Sequence, residues 1–310
     1  MIIKILGSGA GGGFPQWNCN GTHSAAVRSG KSGYRPRTQS SLAVSSDGRN
    51  WVLLNASPDL RQQIADNPEL HPEKTGALRN SPIKAAVLTN ADVDHIVGLI
   101  NLRERQPFSI YGSDRVLATI ASNSIFDVCA HDIVPRITLP LDTKTKLTGD
   151  GIDLGLTVEA FAVPGKIALF LEKGGESTNY GSREGDTIGL EITDNKTGKS
   201  FFYIPGCAEV DEPLAKKIKG ADLIFFDGTL FTDNEMIDQG LMQKTGQRMG
   251  HISMSGSDGS IEVFKPLNIK RRIYVHINNS NPALDENSQA RKAVDASGWE
   301  VGYDGMEVRI

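Results

Sequence analysis

The sequence predicts an α/β protein of four layers: two β-rich halves packed as a sandwich, with helices over both outer faces. Three observations point there. Each half holds a strand pair joined by a tight turn: Ser40–Ser45 with Trp51–Asn55 around Asp47-Gly48-Arg49-Asn50, then Thr187–Ile192 with Ser200–Ile204 around Asn195-Lys196-Thr197-Gly198. Each half then passes into short apolar runs alternating with helical spacing. Polar residues gather at the ends of those runs, at Asp94 and His95, Cys207, Asp227 and His276. Open α/β sheets place ligands at such strand ends. Two β-rich halves with helices outside make a sandwich covered on both faces.

The 310 residues are long enough for one large α/β domain with an ample core. A net charge of −4 leaves no electrostatic footprint for nucleic acid or an anionic membrane surface. The three cysteines, Cys19, Cys129 and Cys207, are widely separated and give no disulfide framework. No apolar run approaches a membrane span, and Met1 to Leu6 is too short for a signal segment. The expectation is a cytoplasmic protein.

Ile2 to Leu6 reads as the first strand, and Gly7, Gly9 and Gly12 follow it with dinucleotide-loop spacing. That reading fails, because Phe14-Pro15-Gln16-Trp17-Asn18 opens no helix to hold a pyrophosphate. A glycine-lined loop that lets backbone approach a neighbouring site is the better account. Residues 18–38 read as a long polar loop, with Cys19 and His23 an incomplete zinc half-site. Ser57 is expected to cap a helix that begins at Pro58, and residues 66–82 read as loop.

Ile83 to Leu88 reads as a buried strand, Asn90 to His95 as a polar loop, and Ile96 to about Arg105 as a helix. Asp94 and His95 share one ion only if the loop is irregular, since neighbours on a strand point to opposite faces. The other reading makes Asp94 a helix cap and His95 a solvated first-turn residue. Phe108–Tyr111 is the next strand and 114–126 the next helix. Residues 137–172 alternate like antiparallel strands, the last at 168–171. Residues 172–186 form a Gly- and Ser-rich loop, expected over an active site. A helix at 212–219, a strand at 223–226, a strand from Arg272 to Ile277, a helix at 286–296 and a terminal hairpin around Tyr303-Asp304-Gly305-Met306 complete the chain.

This order of motifs resembles the metallo-β-lactamase superfold. Its first signature, H-x-H-x-D-H, falls on Asn90-Ala91-Asp92-Val93-Asp94-His95. The resemblance implies that Asn90 and Asp92 replace two ligands of a first metal, and that Lys166, after Val163-Pro164-Gly165, replaces a third. A charged lysine offers no lone pair. Cys207 stands where a bridging aspartate is expected, and His276 matches the last histidine. More specific words run from end to end: Gly11-Gly12-Gly13-Phe14-Pro15-Gln16-Trp17-Asn18-Cys19-Asn20, Arg37-Thr38-Gln39-Ser40-Ser41, Asn55-Ala56-Ser57-Pro58-Asp59, Phe226-Asp227-Gly228-Thr229, Met249-Gly250-His251 and His276-Ile277-Asn278-Asn279-Ser280-Asn281-Pro282. These are similar to the coenzyme PQQ synthesis protein B family. One departure is clear: Gly21 and Ser24 occupy two positions of that family's C-x-C-x-x-C zinc knuckle, leaving Cys19 as its residue.

The resemblance implies one domain over residues 1–310, with two pseudo-symmetric halves meeting near 172–186. It also implies a part in pyrroloquinoline quinone (PQQ) synthesis, by O2-dependent hydroxylation of the tyrosine-derived ring of a cross-linked Glu–Tyr diamino acid. The retained Asp94, His95 and His276 suit a mononuclear Fe(II) centre, with Zn(II) as the other candidate and Asp92 as an additional ligand. A two-metal hydrolase needs ligands for both ions about 4 Å apart, and half are missing. His251, Asp227 and Asn278 are the candidates for orienting substrate or relaying protons. Arg37, Lys166 and Arg248 are candidates for meeting substrate carboxylates. Expected partners are the precursor or PQQ and other proteins of the pathway, with no nucleic acid and no membrane span; a homodimer is admitted. Two other classes stay open: a non-enzymatic carrier of PQQ or its precursor, and a mononuclear zinc hydrolase.

Overall fold

The computed structural model describes residues 1–74, 76–172 and 183–310. Among them the strands form two seven-stranded mixed sheets. In the first sheet β1 (Ile2–Gly7) lies beside β2 (Ser41–Ser45), then β3 (Trp51–Leu54), β4 (Ile83–Val87), β5 (Ser109–Gly112) and β6 (Arg136–Thr138). The second begins at its edge with β7 (Lys144–Gly149) and β8 (Ile152–Ala162), and continues through β9 (Ile188–Asp194), β10 (Ser200–Ile204), β11 (Leu223–Asp227), β12 (Arg271–Val275) and β13 (Trp299–Val301). The last strand, β14 (Glu307–Arg309), returns to the first sheet and pairs antiparallel with β1, Ile3 opposite Val308.

Side-chain alternation explains the layering. Val52 and Leu54 face the second sheet and join Leu190, Phe201 and Phe225 in the central core. Trp51 and Leu53, one residue out of phase, face outward onto α2 (Leu60–Asp66) and the helices after β4 and β5. Those helices are α3 (Val93–Ile96), extended by a 3-10 segment Val97–Leu102, and α4 (Asp114–Ala121). On the other outer face, α5 (Glu212–Ile218), the short α6 (Glu235–Asp238), α7 (Ser260–Val263) and α8 (Gln289–Ala296) follow in order. There Phe226, Phe264 and Trp299 form an aromatic cluster. The expected four-layer sandwich is the fold observed. No helix of the described residues is long and apolar enough to cross a membrane.

Several local expectations differ from the structure. The polar loop at 18–38 contains α1 (Thr22–Arg28), whose Ala25-Ala26-Val27 core forms a helix. It ends at Gly30, which takes φ +68°. Ser57 does not cap α2: its hydroxyl donates to Gln63 Oε1, and Asp59 stands at the cap position. The helix expected to reach Arg105 tightens into the 3-10 segment, and the 114–126 helix breaks after Ala121 into a 3-10 turn, Ser124–Val128. The backbone at 168–171 closes a local turn, with the Leu171 amide donating to Ala168 O, and pairs with no strand among the described residues. β6 runs parallel to β5, and β7, unread in the sequence, pairs with β8. The chain passes between sheets at residues 139–143, ahead of the 172–186 stretch, most of which lies outside the described residues. The terminal hairpin is absent too. The Asp304 carboxyl accepts from the amides and hydroxyls of Ser8 and Thr38, and this pins the turn where the chain crosses from β13 to β14.

Candidate metal centre

β1 and β12 meet at their carboxyl ends through the glycine loop. The Gly9 amide donates to Thr38 O, Ala10 to Ile277 O, and Ile277 back to Ser8 O. The loop thus ties the two sheets together and brings Gly11 against Asp94; a Cβ there would lie 3.5 Å from Asp94 Oδ2. β4 delivers the other side. After Leu88 the chain turns outward, and Asp94 and His95 fall in the first turn of α3, not on a strand, so both reach one point. That helix is seated on the end of β3: the Ala56 amide donates to His95 O and the Gly98 amide to Ala56 O. A Cβ at Gly98 would fall 2.1 Å from Ser57 O, so this approach requires glycine.

The structure brings Asp94, His95 and His276 together, each offering one ligand atom within 4.8 Å of the others. His276 follows β12 at φ +57°, a left-handed conformation that turns its ring back toward Asp94. Its Nε2 lies 3.0 Å from Asp94 Oδ2, and His95 Nε2 lies 3.7 Å from the same oxygen.

Proton counting fixes the tautomers. The Asp92 amide donates to Asn90 Oδ1, and this identifies the carboxamide oxygen. His95 Nδ1, 2.7 Å from that oxygen, is therefore a donor. The Thr229 hydroxyl gives its single proton to Asp227 Oδ1 at 2.6 Å, so it accepts from His276 Nδ1 at 2.8 Å. His251 Nδ1 donates to Asp227 Oδ2 at 2.7 Å. All three imidazoles are held by Nδ1–H, so Nε2 is the lone-pair nitrogen of each ring when that ring is neutral. His95 Nε2 is buried with no hydrogen-bond partner among the described residues. Neutral His276 would set a second lone pair against the Asp94 carboxylate. An orphaned nitrogen and two opposed acceptors are what a cation would satisfy, so the donor set fits a metal ion.

Electrostatics divide the two rings. Burial and the neighbouring imidazole of His276 push His95 down to about 4, even against the attraction of Asp94, so it is neutral near neutrality. Burial works against the Asp94 carboxylate, but His95 and the His276 hydrogen bond hold it well below its ordinary value. Burial likewise opposes the His276 imidazolium, and Asp94 more than offsets it, raising that group.

Asp227, His251 and His276 form a second group of donor atoms. Both Asp227 oxygens are already taken, by the Cys207 and Thr229 amides, the Thr229 hydroxyl and His251. Asp227 thus supports the site from behind. His251 stacks on His276, ring centroids 5.1 Å apart.

These groups open into a cavity of 550 Å³. Lys166 and Asn278 line it, as does Asp92, whose Oδ2 is 3.3 Å from Lys166 Nζ. Met236, Leu241 and Met242 form an apolar wall, and Lys244, 3.3 Å from Glu172, stands at its edge. Cys19 also lines the cavity; its sulfur accepts the Gly21 amide, and the Ser24 hydroxyl is buried without a partner among the described residues. Arg37 does not reach the cavity. Its guanidinium is buried and donates to Ser8 Oγ and Gly302 O, so it braces the crossing to β14. Arg248 is outside the lining too, 4.0 Å from Glu172. Cys207 is buried in the apolar core, where burial holds its thiol far above the ordinary value. Sequence reading missed Thr229, the hub of the histidine network, although it ends the Phe226-Asp227-Gly228-Thr229 word. It missed Asn90 as the partner of His95.

Residues 50–277 match the model of a β-lactamase superfamily domain. Coenzyme PQQ synthesis protein B of Methylorubrum extorquens AM1 is 50% identical over 310 residues, covering 100% of both chains. The protein of the same name from Gluconobacter oxydans 621H is 49% identical over 309 residues, 99% of this chain and 98% of that one. The crystal structure of Zn(2+)-bound PqqB from Methylobacterium extorquens superposes with a TM-score of 0.93 at 48% identity, over 100% of both chains. A diphosphatase of the PhnP family shares only the fold, with TM-score 0.66 at 17% identity, over 100% of this chain and 97% of that one. The chain has the metallo-β-lactamase fold and belongs to the coenzyme PQQ synthesis protein B family.

Proposed function

We propose that this chain acts in PQQ biosynthesis as one domain, holding Fe(II) through Asp94, His95 and His276 and hydroxylating the tyrosine-derived ring of a cross-linked Glu–Tyr diamino acid with O2. The carrying observation is the donor set. The orphaned His95 Nε2 meets one carboxylate and one further imidazole, while Asn90, Asp92 and Lys166 provide no second set of imidazoles. Two histidines and one carboxylate with open positions suit mononuclear iron. When bound, such an ion supplies the one-electron and O2 chemistry that side chains lack.

The chain's own residues do the rest. Asp227 holds His251 by Nδ1–H and leaves its Nε2 as a base toward the cavity. Lys166 offers an ammonium for a substrate carboxylate, and Asn278 a carboxamide to orient the ring. The apolar wall of Met236, Leu241 and Met242 excludes water from the ring's far side.

The test is anaerobic loading with Fe(II), then O2 and the diamino acid, read by mass spectrometry. Gain of oxygen in the product is expected. Binding without oxygen incorporation would replace the enzyme by a carrier. Zinc is the competing ion, because the similar PqqB structure is Zn(2+)-bound; turnover with zinc alone on a hydrolysable substrate would favour a hydrolase. His276→Ala should lose the metal, as read by elemental analysis. Unchanged metal content in that variant would refute the ligand set.

A further inference from the structure

A buried carboxyl behind the cavity wall has no part in the chemistry above. Glu235 opens α6 and is only 4% exposed. Its Oε2 accepts the Phe231 amide at 2.7 Å, and its Oε1 accepts the Ser280 hydroxyl at 2.5 Å. Ser280 is 1% exposed, and its oxygen accepts from Asn278 Nδ2 at 2.5 Å. A three-residue chain of hydrogen bonds therefore runs from the interior to Asn278, a lining residue two positions after His276.

The direction of that chain is determined by its inner end. When ionised, the Glu235 carboxylate only accepts, and a serine hydroxyl has one proton to give. Ser280 must donate to Glu235, so it can only accept from Asn278. Only the Nδ2 side of the carboxamide can satisfy it. Nδ2 is turned inward, and Oδ1, which has no protein donor among the described residues, is left for the cavity. Were the inner residue a donor, the same logic would run backwards, and Asn278 would present its NH2 instead.

We propose that Glu235 is a positioning residue: through Ser280 it locks Asn278 with its carbonyl toward the cavity, and the site thereby selects a substrate bearing an O–H or N–H donor beside the metal ligands. This rests on the reading of the cavity as a substrate site and adds a selectivity to it. Glu235→Gln is the sharp probe. The Phe231 amide still needs an acceptor, so the glutamine oxygen turns to it and the glutamine NH2 faces Ser280. The chain then reverses and Asn278 flips.

The experiment uses full-length, Zn(2+)-loaded, 15N-labelled protein at about pH 8, where carboxylates are ionised. Two readouts are taken: the Asn278 side-chain NH2 signals by NMR, and calorimetric affinities for the Glu–Tyr diamino acid and its phenol O-methyl ether. In the parent protein the NH2 should exchange slowly, and the phenol should bind about tenfold tighter than the ether, the worth of one good hydrogen bond. Glu235→Gln should expose the NH2 and bring that ratio to about one or below, at unchanged zinc content. Ser280→Ala should break the lock in the same sense, and Ser280→Thr should restore it. An unmoved NH2 signal and an unchanged ratio in Glu235→Gln and Ser280→Ala would overturn the proposal. If the NH2 responds as expected but the parent protein binds neither probe, the lock stands and the substrate reading and its selectivity fail.

Discussion

Asn90 Oδ1 receives the Nδ1–H of His95 at 2.7 Å, and the same oxygen receives the Asp92 amide. The residue standing where the resemblance implies a ligand thus orients a candidate ligand. Partners of this kind typically account for 10–100-fold in metal affinity. Asn90→Ala is therefore expected to weaken metal binding by about that factor, while Asn90→Asp, which keeps the acceptor, should stay near the parent. Competitive titration against a chelating dye measures both. Equal affinity in Asn90→Ala would show that packing alone orients His95.

Lys166 lines the cavity and is mostly buried, its Nζ 3.3 Å from Asp92 Oδ2. Lys166→Met should keep the metal, since it removes no lone-pair donor. It should raise the substrate KM, on the order of tenfold for one charge-assisted contact, with a smaller effect on kcat. Steady-state kinetics against precursor concentration separate the two. A change confined to kcat would make Lys166 a participant in the chemical step.

Gly98→Ala tests how the metal loop is seated. The added methyl would meet the Ser57 and Ala56 carbonyls, both backbone atoms that cannot swing aside. Overpacking of this kind costs about 1–3 kcal/mol. The expected result is a lower urea midpoint with unchanged slope, and weaker metal binding from a displaced His95.

Glu235 makes stability depend on pH. Burial raises its carboxyl to about 7, from an ordinary value of 4.5, and its contacts with Ser280 and Phe231 are to neutral groups. Between those values the folded chain keeps a proton that the unfolded chain has lost. The stability of the fold therefore falls as pH rises across that window, by roughly 3 kcal/mol at most. Glu235→Gln removes the titration. Its melting temperature relative to the parent should rise between about pH 5 and about pH 8. A constant difference would mean that Glu235 titrates alike in both states.

Much of the architecture was legible because strands and their ends leave local marks. The run Leu223–Phe226 is continuous and apolar, Ile83–Leu88 is broken only by Lys84, and a polar word stops each one, as one stops Arg272–Ile277. Those stops led to Asp94, His95, Asp227 and His276, which the fold does gather. What stayed hidden depends on distant partners. β14 looks like one arm of a local hairpin until Ser8 and Thr38 claim Asp304. Arg37 reads as a substrate-facing cation because the sequence carries no sign of the Gly302 carbonyl it meets. The left-handed φ of His276 is also invisible locally, since no glycine marks it. Thr229 and Glu235 belong to common residue types, and only proton counting across three elements shows their parts.

The pairing of Ile3 with Val308 has a consequence for how the molecule is made. Contacts between the two ends of a chain form late, because their loop-closure entropy must be met before they contribute. During synthesis the first sheet has every strand but its edge long before β14 leaves the ribosome. His276, 182 positions after Asp94, emerges only shortly before that edge. The nascent chain thus carries two of its three candidate ligands without the third until the stretch from Asp94 to His276 has been made. Metallation then belongs to the finished polypeptide, and a chain stalled before β12 would leave the ribosome with Asp94 and His95 but without His276.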